Sequence, residues 1–255
     1  MNPTNLMTPQ RTLHAYITET KYEFLRFVRS PASVFPTLLM PILLYALVGI
    51  IVVGAKVADD PQLPEFLFAA FAIFAITSPG MYGIGQVFAI ERQSGVFTLK
   101  KTQPMPAAAY LIAKIINALI CVLIVMSTLI WLAISFGNVE LNGTQILQIF
   151  AVSLLGMATF SALGLWIGSW VSGSAATGVI NLIYFPMMYL SGTFFPLPEV
   201  MAPWAVIWPT FYLNQIFFAI LLGESAISIE MCIAVLMGLT LLFSGLAARN
   251  MTNKY

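Results

Sequence analysis

The chain carries very little charge. Of its 255 residues, 8% are Asp, Glu, Lys or Arg, while 60% are hydrophobic. A soluble domain carries roughly 25% charged residues. So sparse a supply cannot cover a water-facing surface, which leaves lipid as the main solvent. There is one histidine, His14, and this excludes a histidine-built metal site within a single chain. The two cysteines, Cys121 and Cys232, lie inside apolar runs and read as small buried hydrophobes, not as a disulfide or a metal pair. The sequence has no G-x-x-x-x-G-K-S/T loop to cradle phosphates, no H-E-x-x-H and no Ser–His–Asp set. A net charge of +1 gives no basis for nucleic-acid binding. No cleavable leader is evident, because the first apolar run begins only near Val34.

What is abundant is apolar sequence in long runs. A helix needs about 20 apolar residues to cross the hydrocarbon core. Six stretches meet that length, at about 34–54, 66–90, 112–136, 144–170, 175–194 and 227–248. The expected fold class is therefore all-α, a polytopic membrane protein with six transmembrane helices. Basic residues orient it. Arg11, Lys21, Arg26 and Arg29 precede the first run, Arg92, Lys100, Lys101 and Lys114 fall around the second loop, and Arg249 and Lys254 follow the sixth. Only Lys56 lies on the other side, with Asp59, Asp60, Glu65, Glu140, Glu199, Glu224 and Glu230. Both termini are expected in the cytoplasm, and Lys114 is expected to snorkel from the inner end of the third run.

Two segments depart from the pattern. Residues 11–30 place Leu13, Tyr16, Ile17, Phe24, Phe27 and Val28 on one arc of a helix, which suits an amphipathic helix in the inner interface. This divides the chain into a 1–33 N-terminal segment and a 34–255 membrane domain. Pro36 and Pro41 predict a bend early in the first run. The stretch 195–222 is too apolar for a wet loop, yet Pro196, Pro198, Pro203 and Pro209 forbid a regular span. Short re-entrant helices in the outer leaflet are the expectation there, anchored by Trp204, Trp208, Phe211 and Tyr212. Asn142-Gly143-Thr144 reads as a glycosylation sequon.

No run holds a carboxylate, Arg or His at mid-depth, which weighs against an ion- or proton-driven carrier. The polar residues inside runs are mild: Thr77, Ser78, Gln86, Asn117 and Asn181. Each lines a pathway or bonds a neighbouring helix. Gly164-x-x-x-Gly168, with Ser161, forms a small-residue stripe that allows close helix approach, within the chain or between two copies. Three readings stand at this level: a transport subunit gripped at its one charged loop, a channel or carrier working without ATP, and a membrane scaffold that recruits a soluble partner.

That loop opens Glu91-Arg92, with Gly95 next, Pro104 nine residues on and Lys114 at the start of the third run. Near the end comes Leu190-Ser191-Gly192-Thr193-Phe194-Phe195-Pro196, then Pro203-Trp204 and Pro209-Thr210-Phe211-Tyr212. In these motifs, and over nearly its whole length, the sequence resembles the membrane subunits of ABC-2 type ATP-binding-cassette exporters (type V exporter-like). Thr98 stands where the family commonly has an acid, and Leu213 where many members have a histidine.

The resemblance implies a half-transporter in the bacterial inner membrane. It implies a second permease chain, identical or homologous, and two cytoplasmic ABC ATPase subunits. ATP and Mg would sit on those partners, with no cofactor on this chain. It assigns coupling to the ATPase to about 91–103, with Glu91, Arg92, Gly95, Lys100, Lys101 and Pro104. Phe71, Phe74, Thr77, Asn181, Tyr184 and Tyr189 become candidates for a substrate path, and Gly192, Phe195, Pro196, Pro209 and Tyr212 for an outer gate. An uncharged path suits an amphipathic or hydrophobic cargo, such as a drug-like compound, a lipid or a lipid-linked glycan.

Overall fold

A computed structural model describes residues 9–52, 61–96, 107–198 and 200–254, and the regular structure among them is all helical. Helix α1 (Pro9–Val28) turns Glu23 and Phe27 inward and leaves Leu13, Ile17, Tyr22 and Val28 exposed. Ser30 breaks it in extended backbone, and α2 follows with Pro31 in its first turn. The irregularity expected of Pro36 and Pro41 takes the form of π winding. Within α2, Pro31–Val34 and Met40–Leu44 are α-helical, while Phe35–Leu39 and Tyr45–Val52 are π-helical. The Met40 N–H reaches back five residues to the Phe35 carbonyl, a bond that bypasses the missing proline donor.

Helix α3 is the axis of the molecule. Its pieces are Leu63–Ser78, a π segment Pro79–Gln86, and Val87–Gln93. Together they make 31 residues, of which the apolar window is 89% buried. At about 1.5 Å per residue this is longer than a hydrocarbon core of roughly 30 Å. Helices α4 (Ala107–Phe136), α5 (Gly143–Trp170), α6 (Gly173–Leu190), the four-residue α7 (Ala202–Ala205), α8 (Pro209–Leu221) and α9 (Ile229–Lys254) complete the chain. Asn142, read from sequence as a sequon, starts α5 through a capping box: its Oδ1 accepts from Gln145 N at 2.8 Å, and Gln145 Oε1 accepts from Asn142 N at 3.0 Å.

Among the described residues, four helices are long and apolar enough to cross a membrane: Leu63–Gln93, Ala109–Phe136, Gly143–Trp170 and Ile229–Met251. The first and fifth apolar stretches form shorter helices, Phe35–Ile51 and the 18-residue Gly173–Leu190. The proline-rich stretch breaks as expected, into α7 and α8, with prolines in the first turn of each. Helix α8 buries Leu213, Ile216 and Phe217 against α3, α5 and α9.

Small residues bring α3 and α5 into backbone contact. A Cβ on Gly80 would lie 2.5 Å from the Phe160 carbonyl carbon, and one on Gly85 would lie 2.6 Å from Gly164 O. Gly164 and Gly168 in turn face Gly80 O and Gly85 O. The stripe read on α5 therefore serves packing within the chain, and its partner is a second glycine pair in α3 that the sequence reading did not single out. The other flank of α5 joins α9 through a Thr159–Thr240 hydroxyl pair at 2.9 Å and stacked Trp166 and Phe243 rings, 5.4 Å between centroids.

Gly85→Leu should abolish the monodisperse peak in detergent size-exclusion chromatography. Gly178→Leu, where a Cβ meets nothing within 4 Å, should leave yield and elution unchanged. Equal behaviour of the two variants would show that the α3–α5 contact is not the constraint described.

Candidate functional site

The last turn of α3 carries Glu91, Arg92 and Gln93, and each side chain goes to a different place. Gly95 ends the helix in the left-handed region, at φ +77°, with its N–H on the Arg92 carbonyl. A Cβ there would touch nothing within 4 Å, so backbone conformation alone favours glycine at this stop. Of the residues assigned to coupling by resemblance, Glu91, Arg92 and Gly95 are thus gathered at one helix terminus. Lys100, Lys101 and Pro104 lie outside the described residues.

Glu91 enters a buried charge cluster. Its carboxylate accepts from Tyr110 OH, pairs with Arg26, and lies 3.0 Å from Lys114 Nζ. Lys114 also donates to Glu23 Oε1 at 2.8 Å, and Arg26 donates to the same oxygen at 2.5 Å. The Lys114 ammonium sits 4.9 Å from the centre of the Tyr110 ring. Two carboxylates and two cations balance, which is what makes their removal from water tolerable. Lys114 is 2% exposed, so the expectation that it snorkels is corrected: it points into protein, because two carboxylates solvate it better than a distant headgroup layer can. Glu23 was missed altogether, although on α1 it borders the apolar arc, one turn before Phe27.

Arg92 and Gln93 attend to neighbouring helix ends. Arg92 donates to the carbonyls of Ser169 and Val171, the latter at 2.5 Å, placing its charge on the C-terminus of α5. Gln93 Oε1 accepts from Ser174 N at 3.0 Å in the first turn of α6. One turn of α3 therefore fixes α1, α4, α5 and α6 at the same level.

Above this hub, α3 and α6 are joined by a ladder of side chains. Gln86 Nε2 donates to Thr177 Oγ1 at 2.8 Å, Tyr82 OH donates to Asn181 Oδ1 at 2.7 Å, and the Thr77 and Tyr184 hydroxyls share a bond of 2.7 Å. The residues proposed for a path meet on this seam. Phe74 lies 5.9 Å from the Tyr184 ring, and Phe194 touches Phe71 and Phe74 at 5.7 and 6.3 Å. Phe71, Phe74, Thr77 and Tyr184 are buried against one another within the chain, so the seam is closed. Tyr189 is half-exposed and stacks on the exposed Phe195 at 6.2 Å. Tyr82 and Thr177 were not foreseen. The signal for them was register: mild polar residues at matching heights on two antiparallel apolar helices.

Past the end of α6 the chain reverses at Gly192, φ +75°, whose carbonyl accepts from Asn214 Nδ2 at 3.3 Å. Thr210 Oγ1 donates to Met187 O at 3.0 Å and holds the start of α8 on α6. Pro209 is buried at that start, Pro196 is exposed, and Tyr212 OH donates to Val206 O at 2.8 Å. Among the described residues, no group of three His, Cys, Asp or Glu side chains could hold a metal ion.

Lys114→Met should cost about 3–5 kcal/mol of unfolding stability, because it leaves two buried carboxylates to share Arg26 alone. Glu23→Gln added to it should recover part of that loss. Arg29→Ala, on an exposed position, should cost under about 0.5 kcal/mol. Chemical denaturation in mixed micelles measures all three, and an Lys114→Met loss no larger than that of Arg29→Ala would contradict the cluster.

Comparison with known proteins agrees with this architecture. No curated protein matches the sequence. Residues 14–222, from within α1 to the end of α8, match the family described as ABC-2 type transporter. That match covers most of the chain, and with it both the charged hub and the polar seam: the chain belongs to the ABC-2 type transporter family.

Proposed function

We propose that this chain is the membrane permease of an ATP-driven exporter. In this reading separate cytoplasmic ATPase subunits bind ATP and Mg and dock on the segment of about 91–103. The supporting observation is the hub at the end of α3. A push delivered just beyond Gly95 acts on a turn whose side chains hold α1, α4, α5 and α6. A force from outside the membrane needs a stiff element joined directly to helices, and this one is joined to four.

The finer assignments follow the same reading. Six spans cross the membrane, α2 and α6 being the two short ones, with both termini in the cytoplasm of a bacterial cell. Helix α1 lies in the inner interface with Leu13 and Ile17 toward lipid. Helices α7 and α8 dip into the outer leaflet. A second copy, or a homologue, faces the sides of α2 and α6 that flank α3. There Leu39, Leu43 and Leu47, and Leu182, Phe185 and Tyr189, stand exposed. Between the copies the α3–α6 seam opens when the ladder of Thr77, Tyr82 and Gln86 shifts. Phe71, Phe74, Asn181 and Tyr184 then line the way for an amphipathic or hydrophobic cargo. Gly192, Phe195 and Tyr212 belong to its outer closure.

Co-expression with a genomically adjacent ABC ATPase, and purification by a tag on this chain, should yield a complex with ATPase activity. Lys100→Glu combined with Lys101→Glu should lower the retained ATPase by at least about tenfold without changing the yield of the membrane chain. Recovery of a folded membrane chain that retains no ATPase would overturn the proposal.

A further inference from the structure

Helix α1 presents two unlike flanks on the half of its circumference that faces away from the protein. One flank is apolar, with Leu13, Ile17 and Val28 each more than half exposed. The flank beside it carries Arg11, Lys21 and Arg29, all exposed. Arg29 prolongs the last turn, its N–H reaching the Leu25 carbonyl at 3.1 Å. At about 3.6 residues per turn these six positions fall within one half of the helix. The other half is committed to the protein: Glu23 and Phe27 are buried there, and Arg26 pairs with Glu91. Both acids of α1, Glu19 and Glu23, belong to that committed half, so the outward half carries positive charge alone. Among the described residues, Arg11, Lys21 and Arg29 enter no ion pair, unlike Arg26.

Few surroundings accept both flanks. Water solvates the cations but not a row of aliphatic side chains, and hydrocarbon does the reverse. The headgroup layer of a bilayer takes both at once, with the apolar flank at the acyl boundary and the cations among the phosphates. The spacing of the cations narrows the partner further. From Arg11 to Lys21 is about 15 Å along the axis, and from Lys21 to Arg29 about 12 Å. Each gap exceeds the Debye length of about 8 Å at physiological salt. The three charges therefore do not converge on one compact anion; they suit a surface on which negative charge repeats. The same helix grips the hub from its other half, where Lys114 donates to Glu23 at 2.8 Å and Arg26 pairs with Glu91. Whatever holds the outward half of α1 also holds Glu23 and Arg26 in place.

We infer that the outward half of α1 is a binding surface for anionic phospholipid headgroups, which Arg11, Lys21 and Arg29 engage at separate points while Leu13, Ile17 and Val28 enter the acyl boundary. The inference rests on the membrane placement of α1 in the permease reading above, and it adds the headgroup charge that the chain selects. Each cation close to an anionic membrane surface contributes about fivefold in affinity.

The test uses the full chain, without any ATPase, in phosphatidylcholine nanodiscs holding a trace of spin-labelled phosphatidylglycerol or spin-labelled phosphatidylcholine. Electron spin resonance reads the share of each label that the protein immobilises. At about 50 mM salt the phosphatidylglycerol should be immobilised at least about threefold in preference. Arg11→Gln, Lys21→Gln and Arg29→Gln combined should remove most of that preference with unchanged yield and elution, since all three positions are exposed. Arg11→Lys with Arg29→Lys should keep it, because a charged layer asks for charge and not for a fork of donors. Salt at about 0.5 M should abolish the preference of the unaltered chain. An equal preference in the unaltered chain and the triple glutamine variant overturns the inference. If that variant keeps its lipid preference but loses a co-expressed ATPase, the face belongs to the soluble partner and the inference also fails. Failure of the surface is distinguishable from failure of the permease reading. ATPase retained by a chain with no lipid preference sinks only the surface. A preference lost in the triple variant, in a chain that retains no ATPase, supports the surface and sinks the permease reading.

Discussion

Contact between backbones at Gly80, Gly85, Gly164 and Gly168 is the constraint from which the rest of the bundle follows. In lipid there is no hydrophobic drive to press helices together, so association depends on close packing and on internal hydrogen bonds. Only with glycine on both sides can α3 and α5 approach to backbone distance. That approach lets a 31-residue helix be covered nearly all round by its neighbours, and it places the ends of α5 and α6 within reach of Arg92 and Gln93. The π winding of Pro79–Gln86 belongs to the same solution, since it lies directly on this contact.

The charge cluster is a second solution to the same problem, at the Gln93 end of α3. Long-range attraction between paired charges is strong in a low-dielectric surrounding, but each ion is costly to bury alone. Glu23, Arg26, Glu91 and Lys114 form a group in which no ion is left uncompensated, with Tyr110 as an added donor. Such a group resists change in the distance between α1, α3 and α4. It makes this end of the bundle stiff, whereas the α3–α6 ladder above it uses neutral bonds that exchange at lower cost.

Much of this was legible in the amino-acid sequence, and the parts that were not share a cause. The all-helical class, an irregularity near Pro36 and Pro41 (expected as a bend, found as π winding), the divided stretch after Gly192 and the small-residue stripe on α5 are local properties, set by propensity and periodicity. Periodicity assigns a face to a residue but not a partner to the face. It therefore marked Gly164 and Gly168 without finding Gly80 and Gly85. It put Lys114 near a membrane end without finding Glu23, which is 91 residues away in sequence. It collected Phe74, Thr77, Asn181 and Tyr184 as isolated candidates, although the registry of two antiparallel helices makes them neighbours.

The pinned ends at Gln93 and Ser174 have a consequence for the opposite end of the bundle. Helices α3 and α6 start level, at Gln93 and Ser174, and run together to Thr77 and Tyr184. From that height α6 has six residues left before Leu190, while α3 has fourteen before Leu63. The mismatch is about 12 Å at 1.5 Å per residue. Phe66 and Leu67 lie on α3 beyond the level at which α6 ends. Phe194 and helix α8 occupy the gap, with Phe218 against Phe66 at 5.6 Å. The broken helices α7 and α8 are thus a plug whose size is dictated from the opposite end of the molecule, by a single turn of α3.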